Sequence, residues 1–186
     1  MIIRPASLDD AAAIAAIYAP YVSDTVISFE TVPPSADEMA GRIETCLVRY
    51  PWLVADDGGR IAGYVYAGRH AGRAAYDWSA DVTAYLHPDY HRQGLATRLY
   101  RVLISLLKRQ GYHALFAGIT LPNAASVGLH RSFAMEEVGV YRQVGFKFGQ
   151  WHDVLWMGMT ISDGAAPENS PTPFPELDLE DRDFAP

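Results

Sequence analysis

The sequence predicts a mixed α/β domain organised around a single β-sheet. One observation is a strand, turn and helix at the centre of the chain: residues 82–86 form a short apolar run rich in β-forming residues, and helical periodicity follows from residue 95. Another is the order of the predicted elements, in which strands and helices are mixed without an internal repeat. A chain of 186 residues can bury the core of one such domain.

The first third of the chain predicts one strand and two helices. Residues 2–5 are a candidate strand. Ser7 can cap a first helix, which Pro20 is expected to end because proline lacks a backbone N–H. Ser35 and Glu38 form the pattern of a capping box that opens a second helix.

The remaining elements follow from apolar runs and turn residues. Residues 52–55 and 60–67 are predicted strands joined by an Asp-Asp-Gly-Gly turn. The central helix places apolar residues on one face, and Gly111 is expected to end it; these residues are Leu95, Leu99, Val102, Leu103 and Leu106. The later predictions are a strand over 114–119, a helix over 123–133 capped by Asn123, and strands over 138–144 and 151–159.

Composition excludes several classes of protein. Of the net charge of −7, residues 162–186 carry −6, from seven acidic residues and one arginine, so the rest of the chain is nearly neutral. That charge distribution provides no basic region of the kind that binds nucleic acid or an anionic membrane. The single Cys46 fits a reducing cytoplasm, and the histidines lack metal-ligand spacing, so no metal is expected. The proline-rich acidic segment 162–186 is predicted to be disordered, which leaves a domain over residues 1–161.

The turn before the central helix is a candidate anion site. The first amides of a helix have no intrahelical partner, and the helix dipole adds partial positive charge there. Gly94 and Ala96 lack bulk, so a pyrophosphate can approach those amides. The pattern is neither a P-loop nor a dinucleotide-binding glycine fingerprint, and a small-residue turn before a helix is by itself a weak signal.

Longer sequence segments give that turn a family context. They are His91-Arg-Gln-Gly-Leu-Ala96, Tyr50-Pro-Trp-Leu-Val-Ala55, Tyr66-Ala-Gly68, Ala75-Tyr-Asp-Trp78, Leu121-Pro-Asn123 and Gly145-Phe-Lys-Phe-Gly-Gln-Trp-His-Asp153. The first resembles the acetyl-CoA pyrophosphate loop of the GNAT N-acetyltransferases, with His91 in place of Gln or Arg. The others resemble the phosphinothricin acetyltransferase branch, and the likeness covers residues 1–161.

The resemblance implies a fold and a cosubstrate. The expected fold is a central, mostly antiparallel sheet flanked by helices and splayed between its fourth and fifth strands, where the pantetheine of acetyl-CoA lies. A backbone amide near Tyr85 or Leu86 would bind the carbonyl oxygen of the thioester. The cofactor contacts carried over are Ala84, Tyr85, Leu86, Arg92, Gln93, Gly94, Leu95, Ala96, Thr97, Asn123 and Ala124.

Two residues are candidates for proton transfer. Asp81 matches a position where the branch carries a Glu base; it is one methylene shorter, so action through a water molecule is favoured over direct contact. The alternative is a solvated acid at a strand edge. His130 matches the branch's histidine on the next helix and could relay a proton, or it could be structural.

The prediction of the acceptor-binding residues rests on weaker sequence matches to the family. Five residues match or adjoin positions that line the acceptor pocket in the family: Phe29, Glu30, Arg73, Tyr76 and Trp78. Arg73 could clamp a carboxylate or lie solvated in its loop, and Tyr76 and Trp78 could equally be packing residues. The motif around Lys147 is interpreted as structure or dimer contact. Where the family has Leu-Gly-Phe after the catalytic helix, the chain has Phe133-Ala134-Met135, and alanine tolerates positive φ poorly.

The leading interpretation is an acetyl-CoA-dependent N-acetyltransferase. It would act on the α-amine of a small amino-acid-like acceptor, such as phosphinothricin or methionine sulfoximine or sulfone, by direct attack in a ternary complex; the resemblance also implies a homodimer and a role in antibiotic or herbicide resistance. The alternatives are acetylation of a peptide N-terminus or another amine, and a non-catalytic acyl-CoA sensor. A sensor would have no use for Asp81 and His130, so it should be indifferent to Asp81→Ala.

Overall fold

A seven-stranded sheet forms the centre of the computed structural model, which describes residues 1–185. The strands are β1 Ile2–Pro5, β2 Trp52–Asp56, β3 Ile61–Arg69, β4 Ser79–Leu86, β5 Ala114–Thr120, β6 Glu136–Lys147 and β7 Gln150–Thr160. Their order across the sheet is β1-β2-β3-β4-β5-β7-β6. All neighbours are antiparallel except β4 and β5, which are parallel. The predicted fold class is confirmed.

Four helices cover the two faces of the sheet: α1 Ala11–Ser23, α2 Ala36–Leu47, α3 Leu95–Gln110 and α4 Ala124–Ser132. Successive residues of β2 divide between two apolar clusters, because neighbouring side chains of a strand point to opposite faces. Leu53 packs in the cluster that contains α3, whereas Trp52 and Val54 pack in the cluster that contains α1 and α2. The sheet therefore lies between α3 on one side and the two N-terminal helices on the other.

Pro20 does not end the first helix, contrary to the sequence prediction. α1 continues to Ser23, and the amide of Asp24 donates to the carbonyl of Pro20 over 2.9 Å. Proline removes only one helical hydrogen bond, the one that would reach the carbonyl of Ala16. Both Ala16 and Pro20 are exposed, so water can satisfy that carbonyl and the helix tolerates the proline.

Two strands, β4 and β6, exceed their predicted lengths by three residues or more. β4 begins at Ser79, so Asp81 lies within the strand rather than just before it. β6 runs from Glu136 to Lys147, with an irregular pairing to β7 between Tyr141 and Gly145. Aromatic and β-branched residues identify the middle of such strands, but pairing with neighbours decides where they end.

The C-terminal segment packs against the domain, which differs from the predicted disorder. Phe174 is 6% exposed and its amide donates to the carbonyl of Arg49 over 3.0 Å. The side-chain amide of Gln110 donates to the carbonyl of Thr172 over 2.7 Å. The guanidinium of Arg109 forms a salt bridge with the carboxylate of Asp183 at 2.7 Å. The average composition of this segment predicted disorder because its apolar side chains are few. Those few side chains pack against the domain, and their burial accounts for the difference between prediction and structure. Among the described residues, no helix is long and apolar enough to cross a membrane.

Candidate active site

A cleft opens where the two parallel strands separate. β4 and β5 pair over only three residues, Ser79–Asp81 with Ala114–Phe116. Beyond Asp81 and Phe116 the strands diverge, and the gap between them has a volume of about 650 Å³. Its walls are residues 82–86 of β4, residues 117–120 of β5, the loop before α3, and α4. The splay expected between the fourth and fifth strands is therefore present.

The N-terminus of α3 forms one end of this cleft. Gly94 adopts the left-handed conformation, with φ of +75°, immediately before the 16-residue helix begins at Leu95. A left-handed residue at this position turns the first helical amides toward the cleft, and glycine adopts it without steric cost. Five predicted cofactor contacts from this loop line the cleft: Arg92, Gly94, Leu95, Ala96 and Thr97. Gln93 does not; its side-chain amide instead donates to the carbonyl of Asp89 over 2.7 Å.

The edge of β4 presents backbone groups to the same cleft. The amide of His87 donates to the carbonyl of Ala62 on β3 over 2.9 Å. Because hydrogen-bonded positions alternate along an antiparallel pair, the amide of Tyr85 faces β3, whereas those of Leu86 and Ala84 face the gap. Of the two amides predicted to bind a carbonyl oxygen, the geometry favours Leu86.

The start of α4 forms the opposite wall. The side-chain oxygen of Asn123 accepts a hydrogen bond from the amide of Ser126 over 3.1 Å and thereby caps the helix. Asn123, Ala125 and Ser126 line the cleft, whereas Ala124, the predicted contact, does not. Helical geometry turns the residue after the cap away and brings the two that follow toward the gap.

Asp81 lies at the foot of the cleft, because it is the last residue of β4 that pairs with β5, but it is not part of the cleft lining. It has a partner that sequence analysis missed. Its Oδ1 is 2.6 Å from Nδ1 of His70, the first residue after β3. Desolvation raises the pKa of the Asp81 carboxyl, and the hydrogen bond from His70 opposes that shift. The β3–β4 register places Gly68 opposite Asp81, so a strand-pairing argument would have brought position 70 to this neighbourhood.

His130 is buried in the wall of the cleft. Its Nε2 is 2.9 Å from the hydroxyl of Tyr100 and its Nδ1 is 2.7 Å from the carbonyl of Ser126. The side chain is 4% exposed, and desolvation lowers the pKa of the imidazole. The structure does not bring His130 and Asp81 into contact: His130 lies in the wall formed by α4, whereas Asp81 lies on β4 where the strands begin to separate.

Two predicted acceptor residues lie near a second cavity, on the face of the sheet that carries α1 and α2. Glu30 accepts from Arg42 at 2.7 and 2.9 Å and from the Tyr18 hydroxyl at 2.9 Å. Arg42 is the main cause of the lowered pKa of Glu30. Tyr18 and Arg42 line this second cavity of about 710 Å³, whereas Glu30 and Phe29 lie outside its lining.

The other three predicted acceptor residues lie in the loop before β4. Tyr76 meets the ring of His70 edge-on, with 6.0 Å between centroids, and so belongs to the Asp81 neighbourhood. Arg73 is exposed and precedes a short 3-10 turn. Trp78 is turned toward the C-terminal segment, where its indole N–H donates to the carbonyl of Asn169 over 3.0 Å. Trp78 therefore has a packing contact in the structure.

The sequence departs from the family pattern at His91 and at Ala134, and the structure shows the surroundings of both residues. His91 Nε2 lies 3.2 Å from the carbonyl of Leu86 and 3.1 Å from the hydroxyl of Tyr21, so it links the loop to β4 and α1. Ala134 adopts φ of +60° at the end of α4, the conformation that glycine takes without strain.

Neither a metal centre nor a cysteine nucleophile is found among residues 1–185. No group of three or more His, Cys, Asp or Glu side chains there could hold a metal ion. The thiol of Cys46 donates to the carbonyl of Ala67 over 3.2 Å, and burial raises its pKa to about 12. A thiol held protonated in this way is a poor nucleophile.

Comparison with known proteins agrees with this geometry. Residues 3–156 match the model of the acetyltransferase (GNAT) domain. The chain is 40% identical to a phosphinothricin N-acetyltransferase of Streptomyces viridochromogenes, over 82% of this chain and 83% of that protein. It is 33% identical to an L-methionine sulfoximine/L-methionine sulfone acetyltransferase of Salmonella typhimurium, over 90% of this chain and 99% of that protein.

A solved structure shares the same fold. The GNAT superfamily phosphinothricin acetyltransferase of Sinorhizobium meliloti, determined in complex with acetyl-CoA, superimposes with a TM-score of 0.84. It is 32% identical in sequence, and the match covers 91% of this chain and 92% of that one. On the family match and these relatives, the chain belongs to the GNAT family and is an acetyltransferase related to those that act on phosphinothricin and methionine sulfoximine.

Proposed function

We propose that the chain transfers an acetyl group from acetyl-CoA to the α-amine of a small amino-acid-like acceptor, such as phosphinothricin or methionine sulfoximine or sulfone. The observation that carries this proposal is the cleft between β4 and β5, which has the N-terminus of α3 at one end and Asp81 at its foot. Acetyl-CoA would supply the activated acetyl group as a thioester.

The chain's own residues provide two binding functions for that cosubstrate. The amides at Gly94–Thr97, with the dipole of α3 behind them, suit an anionic pyrophosphate. The amide of Leu86 faces the gap and suits the carbonyl oxygen on which negative charge grows; one such donor typically contributes about 3 kcal/mol of barrier lowering. Asn123 and Ser126 complete the opposite wall.

Direct attack in a ternary complex is supported by the chemistry of the one thiol. Cys46 is turned to a backbone carbonyl and keeps its proton, so it is not suited to carry an acetyl group. The acceptor amine must instead lose a proton at the foot of the cleft, where the Asp81 carboxyl lies. Tyr76, a predicted acceptor residue, meets the ring of His70, the hydrogen-bond partner of Asp81, edge-on with 6.0 Å between centroids.

The proposal is tested by release of CoA, read with a thiol reagent. The purified chain and acetyl-CoA are offered phosphinothricin, methionine sulfoximine, methionine sulfone and the twenty amino acids. We expect turnover on phosphinothricin or on a methionine derivative. Absence of turnover on all of them, with acetyl-CoA still bound in calorimetry, overturns the small-acceptor assignment; peptide N-termini and polyamines would then be tried before an acyl-CoA sensor is accepted.

A matched variant tests the site of the cosubstrate in the same assay. Gly94→Ala places a side chain on a residue with φ of +75°, where the added Cβ meets no neighbour. The substitution therefore strains the loop without filling the cleft. A several-fold rise in the KM for acetyl-CoA, with an unchanged KM for the acceptor, is the expected result. An unchanged KM for acetyl-CoA would argue against the loop as its binding site.

The proposed assembly is a homodimer formed through the β6–β7 hairpin. Six large apolar side chains there are between 51% and 62% exposed: Val138, Tyr141, Val144, Phe146, Phe148 and Trp151. An apolar surface of this kind is typical of a protein interface. Light scattering during size-exclusion chromatography should give the mass of two chains. Phe146→Glu should reduce that mass to one chain, and a monomeric wild-type protein would refute the assembly.

A further inference from the structure

His70 and Asp81 form a pair whose geometry gives the two residues different tasks. A carboxylate oxygen only accepts, so the 2.6 Å contact between Asp81 Oδ1 and His70 Nδ1 places a proton on Nδ1. The neutral ring then has its lone pair on Nε2. Within residues 1–185, no protein group forms a hydrogen bond with that atom.

Three aromatic side chains fix the plane of the His70 ring. Phe116 stacks on it with 4.3 Å between centroids and 23° between planes. Trp156 and Tyr76 meet its edges at 5.9 and 6.0 Å. With Nδ1 held by Asp81 and the ring packed on several sides, the direction of Nε2 is set before any acceptor binds. Such preorganisation is the requirement for a group that must take a proton from a bound molecule.

The pair lies at the point where the cleft begins. Asp81 and Phe116 are the last paired residues of β4 and β5, and Gly118 of β5 lines the cleft two residues further on. The indole of Trp156 lies over Gly118 and also meets His70, so it links the His70 ring to a residue of the cleft lining. The side chains of His70 and Asp81 are 22% and 31% exposed, which leaves the pair accessible to an acceptor.

We propose that His70 Nε2 accepts the proton of the acceptor's ammonium group and that Asp81 is a positioning residue. This inference rests on the proposed acetyl transfer. An N–H bond of the ammonium breaks and an Nε2–H bond forms, which leaves a neutral amine and an imidazolium beside the Asp81 carboxylate. The amine nitrogen then bonds to the acetyl carbon and the bond from that carbon to sulfur breaks. One of the two protons left on the nitrogen goes to the departing CoA thiolate, which gives the amide and the thiol of CoA. The imidazolium later returns its proton to solvent.

The titratable groups around the ring are few. Asp81 contributes a carboxylate from β4, and Tyr76 contributes a phenol from the loop before it. The rings from β5 and β7, Phe116 and Trp156, carry no titratable group. The negative charge of Asp81 therefore stabilises the imidazolium that forms when His70 takes a proton.

The pH dependence of kcat/KM separates the two assignments. His70→Gln should lower kcat by about 100-fold or more, leave acetyl-CoA affinity unchanged, and abolish the acid limb of the profile. Asp81→Asn should lower kcat but retain that limb. If Asp81 itself accepts the proton, the results exchange: Asp81→Asn abolishes the limb and His70→Gln keeps it, which overturns the proposal. His113→Gln, an exposed histidine outside the site, is the matched control and should leave the profile unchanged.

The protonation of His70 can also be measured without turnover, so this part of the inference can be tested before the acceptor is known. Nitrogen NMR of the wild-type chain should show the neutral His70 ring with its proton on Nδ1, where Asp81 Oδ1 accepts it. A proton found on Nε2 of the neutral ring would overturn the inference. Failure of the wild-type chain to turn over any acceptor would count against the proposed function and leave this readout intact.

Discussion

The hydroxyl of Tyr100 lies 2.9 Å from Nε2 of His130, on a ring whose other nitrogen is 2.7 Å from the carbonyl of Ser126. A carbonyl oxygen only accepts, so the proton of the neutral ring is on Nδ1 and Nε2 accepts from Tyr100. Both nitrogens are thus occupied within the protein. This arrangement favours the structural interpretation of His130 over the proton relay that its sequence position suggested.

His130→Gln should lower the free energy of unfolding by about 2 kcal/mol, because it leaves buried groups without partners. The pH dependence has a definite sign. Burial lowers the pKa of His130 below its usual 6.5, so the unfolded chain binds a proton first as pH falls. The His130 contribution to stability is complete above pH 6.5 and declines below it.

Urea titrations between pH 5 and 8 check this prediction. The wild-type chain should lose more stability below pH 6.5 than His130→Gln does. Tyr100→Phe should reduce stability while retaining that pH dependence, which makes it the control for loss of the hydrogen bond alone. Parallel pH curves for the wild type and His130→Gln would contradict a buried neutral imidazole.

Ala134→Gly should stabilise the chain by about 1 kcal/mol, which is the usual cost of a left-handed alanine. The residue has φ of +60°, its amide donates to the carbonyl of Arg131, and the next amide donates to that of His130, which together form a Schellman helix end. Ala16→Gly, within α1, should have the opposite effect. Chemical denaturation measures both, and a loss of stability at position 134 would refute the strain.

Lys147 joins the end of β6 to the last turn of α1 and to the segment that follows it. Its ammonium group is buried and donates to the carbonyls of Val22 and Ser28 at 2.6 and 2.7 Å. Lys147→Met should cost about 2 kcal/mol of stability, because both carbonyls lose a charged donor. It should also raise the KM of the acceptor if the neighbouring Phe29 and Glu30 contribute to its site. Lys108→Met, on the exposed face of α3, is the matched control.

Phe174→Ala should lower the free energy of unfolding by about 3 kcal/mol if the C-terminal segment packs as the structure shows. Phe174 is 6% exposed and contacts the larger apolar cluster. Glu168→Ala, an exposed change in the same segment, should be neutral. Denaturation of both variants decides between a packed segment and the disordered one that composition predicted, and so tests the proposed domain boundary after residue 161.

The sequence was informative wherever the signal was local. Apolar periodicity located α3, Ser35 and Asn123 identified two helix starts, and the glycine turn before α3 predicted the end of the cleft. Those features depend on neighbours a few residues apart. The pairs His70 with Asp81 and Tyr100 with His130 depend on strand register and helix rotation, which one sequence does not determine. Family resemblance supplied Asp81 and His130 but not their partners.

The separation of β4 and β5 has a consequence for the behaviour of the chain in solution. Beyond Asp81 and Phe116, each strand leaves a row of peptide groups without a strand partner, inside the cleft rather than at the rim of the sheet. Unpaired strand edges are templates on which other chains can add. A molecule lodged between the strands shields both edges at once. Concentrated protein should therefore aggregate more slowly on warming when CoA is present than when it is absent.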